Sequence, residues 1–284
     1  MRRVAVIIPA HGSASDLERV LTHVRAQHWR QDQLQVVVGI DGPDASLEAV
    51  AARLADDVTV LPTNQGSYAA RNAALMLLED DVDVVCFTDS DCLPDTGWVS
   101  AHVAALAHSD LSGGAIDVTL RDRPSAAEYV DKLRHLKQHY YVTVDRYAAT
   151  ANLAVRRAVV DAQGFNPNLR SGGDADFCRT ALLRGFTLAY TEDAVVRHPA
   201  RTTTRQVRTK VRRISGGIRA TPERWRDRAV PDWPRGLHVP RHAWATGLSR
   251  NPLWLLHAFA LERWASLAIR RAVIDVKRAS RTSA

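Results

Sequence analysis

Two aspartates, Asp89 and Asp91, flank Ser90 at the end of the apolar run Val84-Val85-Cys86-Phe87-Thr88. In extended backbone, residues i and i+2 point to the same side, so both carboxylates can converge on one point just past a buried strand. Open α/β sheets bind ligands at that position. Paired carboxylates offer hard oxygen donors suited to Mg²⁺ or Mn²⁺, and such an ion bridges phosphate oxygens. Taken alone, Asp-Ser-Asp reads as an acidic surface turn. The buried strand ahead of it favours the chemical reading.

Four other groups of residues could do chemistry. Asp41-Gly42 closes the run Gln35 to Ile40. A carboxylate there can accept hydrogen bonds from a nucleobase edge, although an Asp-Gly turn is equally consistent. Asn64 to Asn72 opens a helix, with Gly66 at its start and Arg71 one turn in, where a planar guanidinium can reach a base or a diphosphate. A solvated helix arginine is the alternative. Gly173-Asp174-Ala175-Asp176 begins a later helix, whose N-terminus favours negative charge by ~0.3–1 kcal/mol. One of its two acids is expected to be a cap, which leaves the other free to act as a base. His198 follows a strand-like run and can complete a metal site or serve structurally.

The elements that must position these groups alternate over the first 120 residues. Val4 to Ile8, Gln35 to Ile40, Val58 to Leu61 and Val82 to Phe87 are short β-branched runs bounded by turn residues. Such uniformly apolar strands belong in a largely parallel sheet covered on both faces. Leu17, Val20, Leu21 and Val24 mark a helix after the first strand, with Ser15-x-x-Glu18 as its expected capping box. Further helices are expected over Tyr68–Leu78 and Trp98–Ala107, giving an α/β fold with right-handed crossovers. Beyond Asp122 the pattern predicts a helix over Ala126–Tyr140, a turn at Gly164 to Pro167, and a helix from Asp174 to Leu183 closed by Gly185. Strands at Phe186–Tyr190 and Ala194–Val196 follow, and a helix from Pro252 to about Lys277 ends the chain.

Composition narrows the classes. The 284 residues are 46% hydrophobic and 24% charged, which suits a globular protein with a full core. No apolar run reaches the length of a membrane span, and Pro9 interrupts the signal-like start, so a cytoplasmic location is expected. Cys86, Cys92 and Cys178 show neither a zinc spacing nor a disulfide framework. Between Arg201 and Arg228 ten Lys/Arg face two acids, so the formal net charge of +7 is concentrated in one segment. Five of the seven tryptophans lie in the last sixty residues. Residues 201–228 can therefore contact anionic lipid head groups, or form a solvated basic helix ahead of one that packs its tryptophans inward. No motif points to nucleic acid. The dinucleotide, P-loop and nucleophile-elbow signatures are missing.

Taken in order, the motifs resemble glycosyltransferase family 2 with its GT-A fold. The matching pieces are Val6-Ile7-Ile8-Pro9-Ala10, Asp41-Gly42, Gly66-x4-Arg71-Asn72, Asp89-Ser90-Asp91, Gly113-Gly114, Asn152 to Arg157, and Gly173-Asp174-x-Asp176. The resemblance implies a Rossmann-type mixed, mainly parallel sheet flanked by helices, with a helical C-terminal extension. Residues 1–200 would be catalytic, 1–120 taking the nucleotide-activated sugar and 121–200 the acceptor and base, and 201–284 would be the basic, Trp-rich extension. Pro9, Ala10, His11, Asp41, Arg71, Asp89, Ser90 and Gly114 would bind the donor. Asp91, with Asp89 and His198, would hold Mn²⁺ or Mg²⁺, and Asp174 would be the base. The family's usual acid before the base is replaced by Gly173. Neither the Gln-x-x-Arg-Trp motif nor the membrane helices of processive relatives occur, which implies transfer of a single sugar. The family likeness implies inversion, and the basic, Trp-rich tail would suit an acceptor on a lipid carrier. A sugar-phosphate nucleotidyltransferase and an inactive sugar-nucleotide-binding module are the rival readings.

Overall fold

The computed structural model describes residues 3–223, 225, 243–244, 248–249 and 251–282. Trp233 and the end of the basic segment at 226–228 lie outside them. The chain divides into two compact units, residues 1–117 with 137–198, and residues 118–136 with 199–284. Residues 118–136 therefore pack with the C-terminal part, across the boundary at 200 that charge suggested.

The first unit is built on an eight-stranded sheet in the order β3-β2-β1-β4-β7-β6-β8-β5. β1 (Arg3–Ala10), β2 (Leu34–Ile40), β3 (Asp57–Val60) and β4 (Val82–Thr88) pair in parallel, whereas β7 (Asn152–Arg156) runs antiparallel to both β4 and β6 (Leu111–Thr119). β5 (Leu93–Pro94) pairs antiparallel with β8 (Leu188–Pro199). Every residue of β2, and all of β1 but Arg3, is buried, as expected of strands covered on both faces. Ala5, Ile7, Val37, Val85 and Phe87 share one core cluster with Tyr68, Phe165 and Phe177. Alternate residues such as Val6 and Ile8 point to the opposite face.

Helices α1 (Ala14–Arg25), α2 (Ala45–Leu54), α3 (Ser67–Leu75), α4 (Trp98–Ala105), α6 (Gln138–Thr143), α7 (Arg157–Ala162) and α8 (Gly173–Leu183) complete this unit. α2, capped by Asp44, is an element the periodicity did not mark. The cap of α1 is Ser13, whose hydroxyl accepts from the Asp16 N–H at 3.2 Å, and Ser15 lies inside the helix. The helix expected over 126–140 is two, α5 (Ala126–Arg134) and α6, broken where Leu136 adopts φ 57°. The two strands expected between 186 and 196 are one continuous strand, β8, and β6 is a strand the reading omitted.

Asn152 fixes the antiparallel half. Its amide nitrogen donates to the carbonyls of Ala115 and Ala194, and its Oδ1 accepts from Trp98 Nε1 at 2.7 Å and from His102 Nε2 at 2.8 Å. An oxygen that only accepts requires the proton on His102 Nε2, so Nδ1 accepts from Ser112 Oγ. Burial pushes His102 down to about 4, against the pull of the Asn152 bond, so the ring is neutral. Asn152→Ala strands two buried donors and two carbonyls at once. Loss of about 3–5 kcal/mol is expected in chemical denaturation.

The second unit packs α5, α9 (Thr204–Arg219) and α10 (Pro252–Thr282) around Tyr129, Val130, Val207, Val211, Leu261 and Ile269. A buried Arg134–Glu262 pair, with Ser266 bonded to both, crosses from α5 to α10. Among the described residues no helix is long and apolar enough to cross a membrane.

Candidate functional site

The C-terminal ends of β1, β2 and β4 lie side by side, with Ala10 opposite Ile40 and the Asp41 N–H bonded to the Ala10 carbonyl at 2.9 Å. Pro9 and Ala10 thus sit at the sheet's edge beside Asp41. Asp41 is buried, and its carboxylate accepts the backbone N–H groups of Gln65 and Gly66 at 2.6–3.0 Å. Its first duty is to hold the loop that opens α3. His11 lies over that loop, 3.4 Å from the Asn64 amide nitrogen.

α3 carries Arg71 one turn in, where it is 1% exposed. The guanidinium pairs with Asp89, and its carbon lies 5.7 Å from the Tyr68 ring centroid and 5.9 Å from that of Phe165. The next residue, Asn72, exchanges two hydrogen bonds with the Phe165 backbone and so pins the 163–165 loop against the helix. Phe165 stacks on Phe177 and meets Phe87 edge-on, which gives the site a rigid aromatic floor.

Asp89, Ser90 and Asp91 occupy a turn after β4, closed by the Cys92 N–H on the Asp89 carbonyl at 3.0 Å. The two carboxylates are therefore not an extended i, i+2 pair facing one point. Asp89 turns to Arg71, whereas Asp91 turns to His198, with Oδ2 3.4 Å from Nε2. Ser90 lies half-buried between them. β8 delivers His198, which is 4% exposed. Asp91, Cys92 and His198 place one donor atom each within 4.8 Å of one another. The carboxylate suits Mn²⁺ or Mg²⁺, and a histidine beside it favours Mn²⁺ over the strictly oxygen-seeking Mg²⁺, so the donor set fits the first of the ions that the sequence implied. Burial and the charges of Asp89 and Asp91 push the Cys92 thiol well up, so it is a weak competitor for a hard cation. Its presence in the cluster could not be read from cysteine spacing.

Neither acid of α8 is the N-cap, which is Gly172 with φ 83°. Asp174 is half-buried in the first turn, accepts the Ala175 N–H at 3.1 Å and receives the Tyr68 hydroxyl at 3.3 Å. Burial raises its carboxyl above the ordinary range, and Asp89 adds to this against the pull of the Ala175 N–H and Arg71. Asp176 is buried. A Cβ at Gly173 would fall 2.6–2.8 Å from the Tyr68 ring, so the tyrosine fills the place a side chain at 173 would take.

The structure thus gathers Asp41, Arg71, Asp89, Asp91, Asp174 and His198 at one end of the sheet. Gly114 is different: the Ala194 carbonyl and the Asn152 amide occupy the space of its missing side chain, so its glycine answers to strand packing. Sequence reasoning missed Arg170, which donates to Asn64 at 2.9 and 3.1 Å from an irregular loop with no motif to signal it.

Comparison with known proteins meets this geometry. The model of glycosyl transferase family 2 matches residues 5–162. Glycosyltransferase AglE of Haloferax volcanii is 31% identical over 206 residues, 70% of this chain and 67% of that protein. Pre-mycofactocin glycosyltransferase of Mycobacterium tuberculosis is 29% identical over 213 residues, 71% of this chain and 43% of its own length, so this chain spans under half of that relative. Among solved structures, mannosyltransferase PcManGT from Pyrobaculum calidifontis, in complex with GDP-Man and Mn²⁺, is 20% identical with a TM-score of 0.52, covering 100% of this chain and 76% of that one. S. aureus TarS 1–349 in complex with UDP-GlcNAc is 19% identical with a TM-score of 0.55, covering 100% and 92%. That level of similarity carries the fold, which is GT-A.

Proposed function

Because the chain belongs to glycosyl transferase family 2, we propose that it moves one sugar from a nucleoside-diphosphate donor to an acceptor hydroxyl, inverting the anomeric carbon, with Asp174 as general base. The observation that carries this reading is the Asp174 carboxyl itself. It is partly open to solvent, raised by burial, and electrostatically coupled to Arg71 and Asp89. A base of that kind takes the acceptor's proton as its oxygen attacks the anomeric carbon, and the nucleoside diphosphate departs. The Tyr68 hydroxyl holds the carboxylate oriented. Asp41 fixes the loop under the nucleotide, and Arg71 with its Asp89 partner frames the donor from α3. Asp91 and His198, with Asp89 adjacent, would hold Mn²⁺ or Mg²⁺, which when bound neutralises charge on the diphosphate. Pro9, Ala10, His11 and Ser90 line the same end of the sheet and belong to the donor site in this reading.

Nucleotide sugars, GDP-Man and UDP-GlcNAc, are what the two similarly folded structures hold, which supports this donor class. A lipid-linked acceptor, with 201–228 near a membrane surface, completes the proposal. Its direct test is thermal unfolding with UDP-, GDP- and dTDP-sugars in the presence of Mn²⁺. A donor at ~100 Kd is expected to add ~2.7 kcal/mol of stability. No response to any of them would overturn the reading.

A further inference from the structure

Helix α10 has two apolar faces, and the second unit accounts for one of them. Leu261, Ala265, Ile269, Ala272 and Val276 are buried with α5 and α9. The other face comprises Leu253, Leu256, Leu267 and Ile274, which are 75%, 63%, 58% and 48% exposed. Leu253, Ala260, Leu267 and Ile274 recur every seven residues, so at about 100° per residue they form one line, with Leu256 beside it. That line lies opposite the buried stripe and runs for roughly 30 Å. A contiguous aliphatic line of this length marks a contact surface.

Its borders are basic. Arg263, Arg270 and Lys277 follow the line on one side at seven-residue intervals, and Arg271 and Arg278 lie on the other, all exposed. Both acids of the helix are engaged elsewhere, Glu262 with buried Arg134 and Asp275 with Arg219. The neighbouring α9 adds exposed Arg205, Arg212 and Arg213, and Arg208 is drawn over the Trp264 ring at 5.4 Å. This charge pattern selects the occupant. A second copy would set these arginines against their own kind. An anionic lipid surface offers acyl chains to the leucines and phosphates to the borders, where long basic side chains extend outward from an apolar line.

We propose that this face of α10 lies in the plane of an anionic membrane, with Leu253, Leu256, Leu267 and Ile274 in the head-group–acyl boundary and Arg263, Arg270, Arg271, Lys277 and Arg278 on lipid phosphates. The inference rests on the reading of the second unit as membrane-facing, and moves the principal contact from 201–228 to α10.

Flotation of the full chain with phosphatidylcholine vesicles, with and without phosphatidylglycerol, tests it. Binding is expected to the anionic vesicles alone and to weaken with salt. The double variant Leu256→Glu/Leu267→Glu is expected to weaken it about tenfold or more. Both substitutions sit on the exposed face, so thermal unfolding and donor-induced stabilisation should match the parent. Arg205→Gln/Arg212→Gln on α9 should cost much less. Equal binding to neutral vesicles, or none to either, overturns the proposal. So does an effect confined to the α9 variant, which would return the contact to 201–228. A dimer that the leucine variant dissociates in analytical ultracentrifugation, with no vesicle binding, assigns the face to a second copy instead. Donor stabilisation in the same samples reports on sugar transfer separately, so failure of one reading is not failure of the other.

Discussion

Asp174→Asn is expected to lower sugar transfer by about 10²–10⁴-fold while donor affinity stays within about twofold of the parent. The amide keeps the size of the carboxylate and can still meet the Tyr68 hydroxyl and the Ala175 N–H, so the donor side is undisturbed. Only the ability to take a proton is lost. Burial lifts this carboxyl above its ordinary value, so the acid limb of the parent's rate profile should lie higher than an unperturbed aspartate would give. The same shift makes a stability forecast. With its value raised on folding, Asp174 contributes stability at low pH, and that contribution is lost as pH rises through the raised value. At neutral pH the ionised carboxylate therefore opposes folding, and Asn does not. The inactive variant is expected to melt above the parent at neutral pH, the difference closing as pH falls. Near-normal turnover in Asp174→Asn would sink the assignment of the base. A dead variant that melts lower would instead point to structural damage.

Asp91→Ala should erase the Mn²⁺-dependent part of donor affinity, by about tenfold or more, leaving what is measured without the ion. Calorimetric titration of donor with and without Mn²⁺ gives both numbers. The paired variant Asp89→Ala is expected to behave differently, because Asp89 answers the charge of a buried guanidinium. Removing one partner of a fully buried pair costs about 3–5 kcal/mol, and the partial exposure of Asp89 lowers that figure. Loss of stability should therefore be larger for Asp89→Ala than for Asp91→Ala. Cys92→Ala should leave Mn²⁺-dependent affinity in place, since a soft thiol is a poor ligand for a hard cation. If Asp91→Ala binds donor as the parent does with Mn²⁺, Asp91 is not the ligand.

What could be read in advance was what local pattern encodes. The parallel strands β1, β2 and β4 stood out because β-branched runs buried on both faces need no partner to be recognised. By contrast, β3 at the sheet's edge is partly exposed and was marked only by its Val58-Thr59-Val60 run. The order Asp41, Arg71, Asp89, Asp91, Asp174, His198 named the candidate site, although its geometry was not in the spacing. Asp89 and Asp91 diverge because the turn after β4 sends one carboxylate to Arg71, 18 residues back, and the other to His198 on β8, over 100 residues on. Such partners are set by tertiary folding alone. α2 escaped notice because its alanines give a weak apolar stripe, and β6 because Ser112-Gly113-Gly114-Ala115 reads as a turn. Leu136 broke a helix through its backbone conformation, which periodicity does not register.

The contact between Gly173 and the Tyr68 ring has a historical side. Here an aromatic ring fills the volume that a side chain at 173 would take. Two positions 105 residues apart in sequence are thereby bound into one choice. A side chain at 173 requires the ring at 68 to shift or shrink, and shrinking the ring removes the hydroxyl that steadies Asp174. The pair should therefore be exchanged together or kept together as the lineage diverges, and residue 68 predicts residue 173.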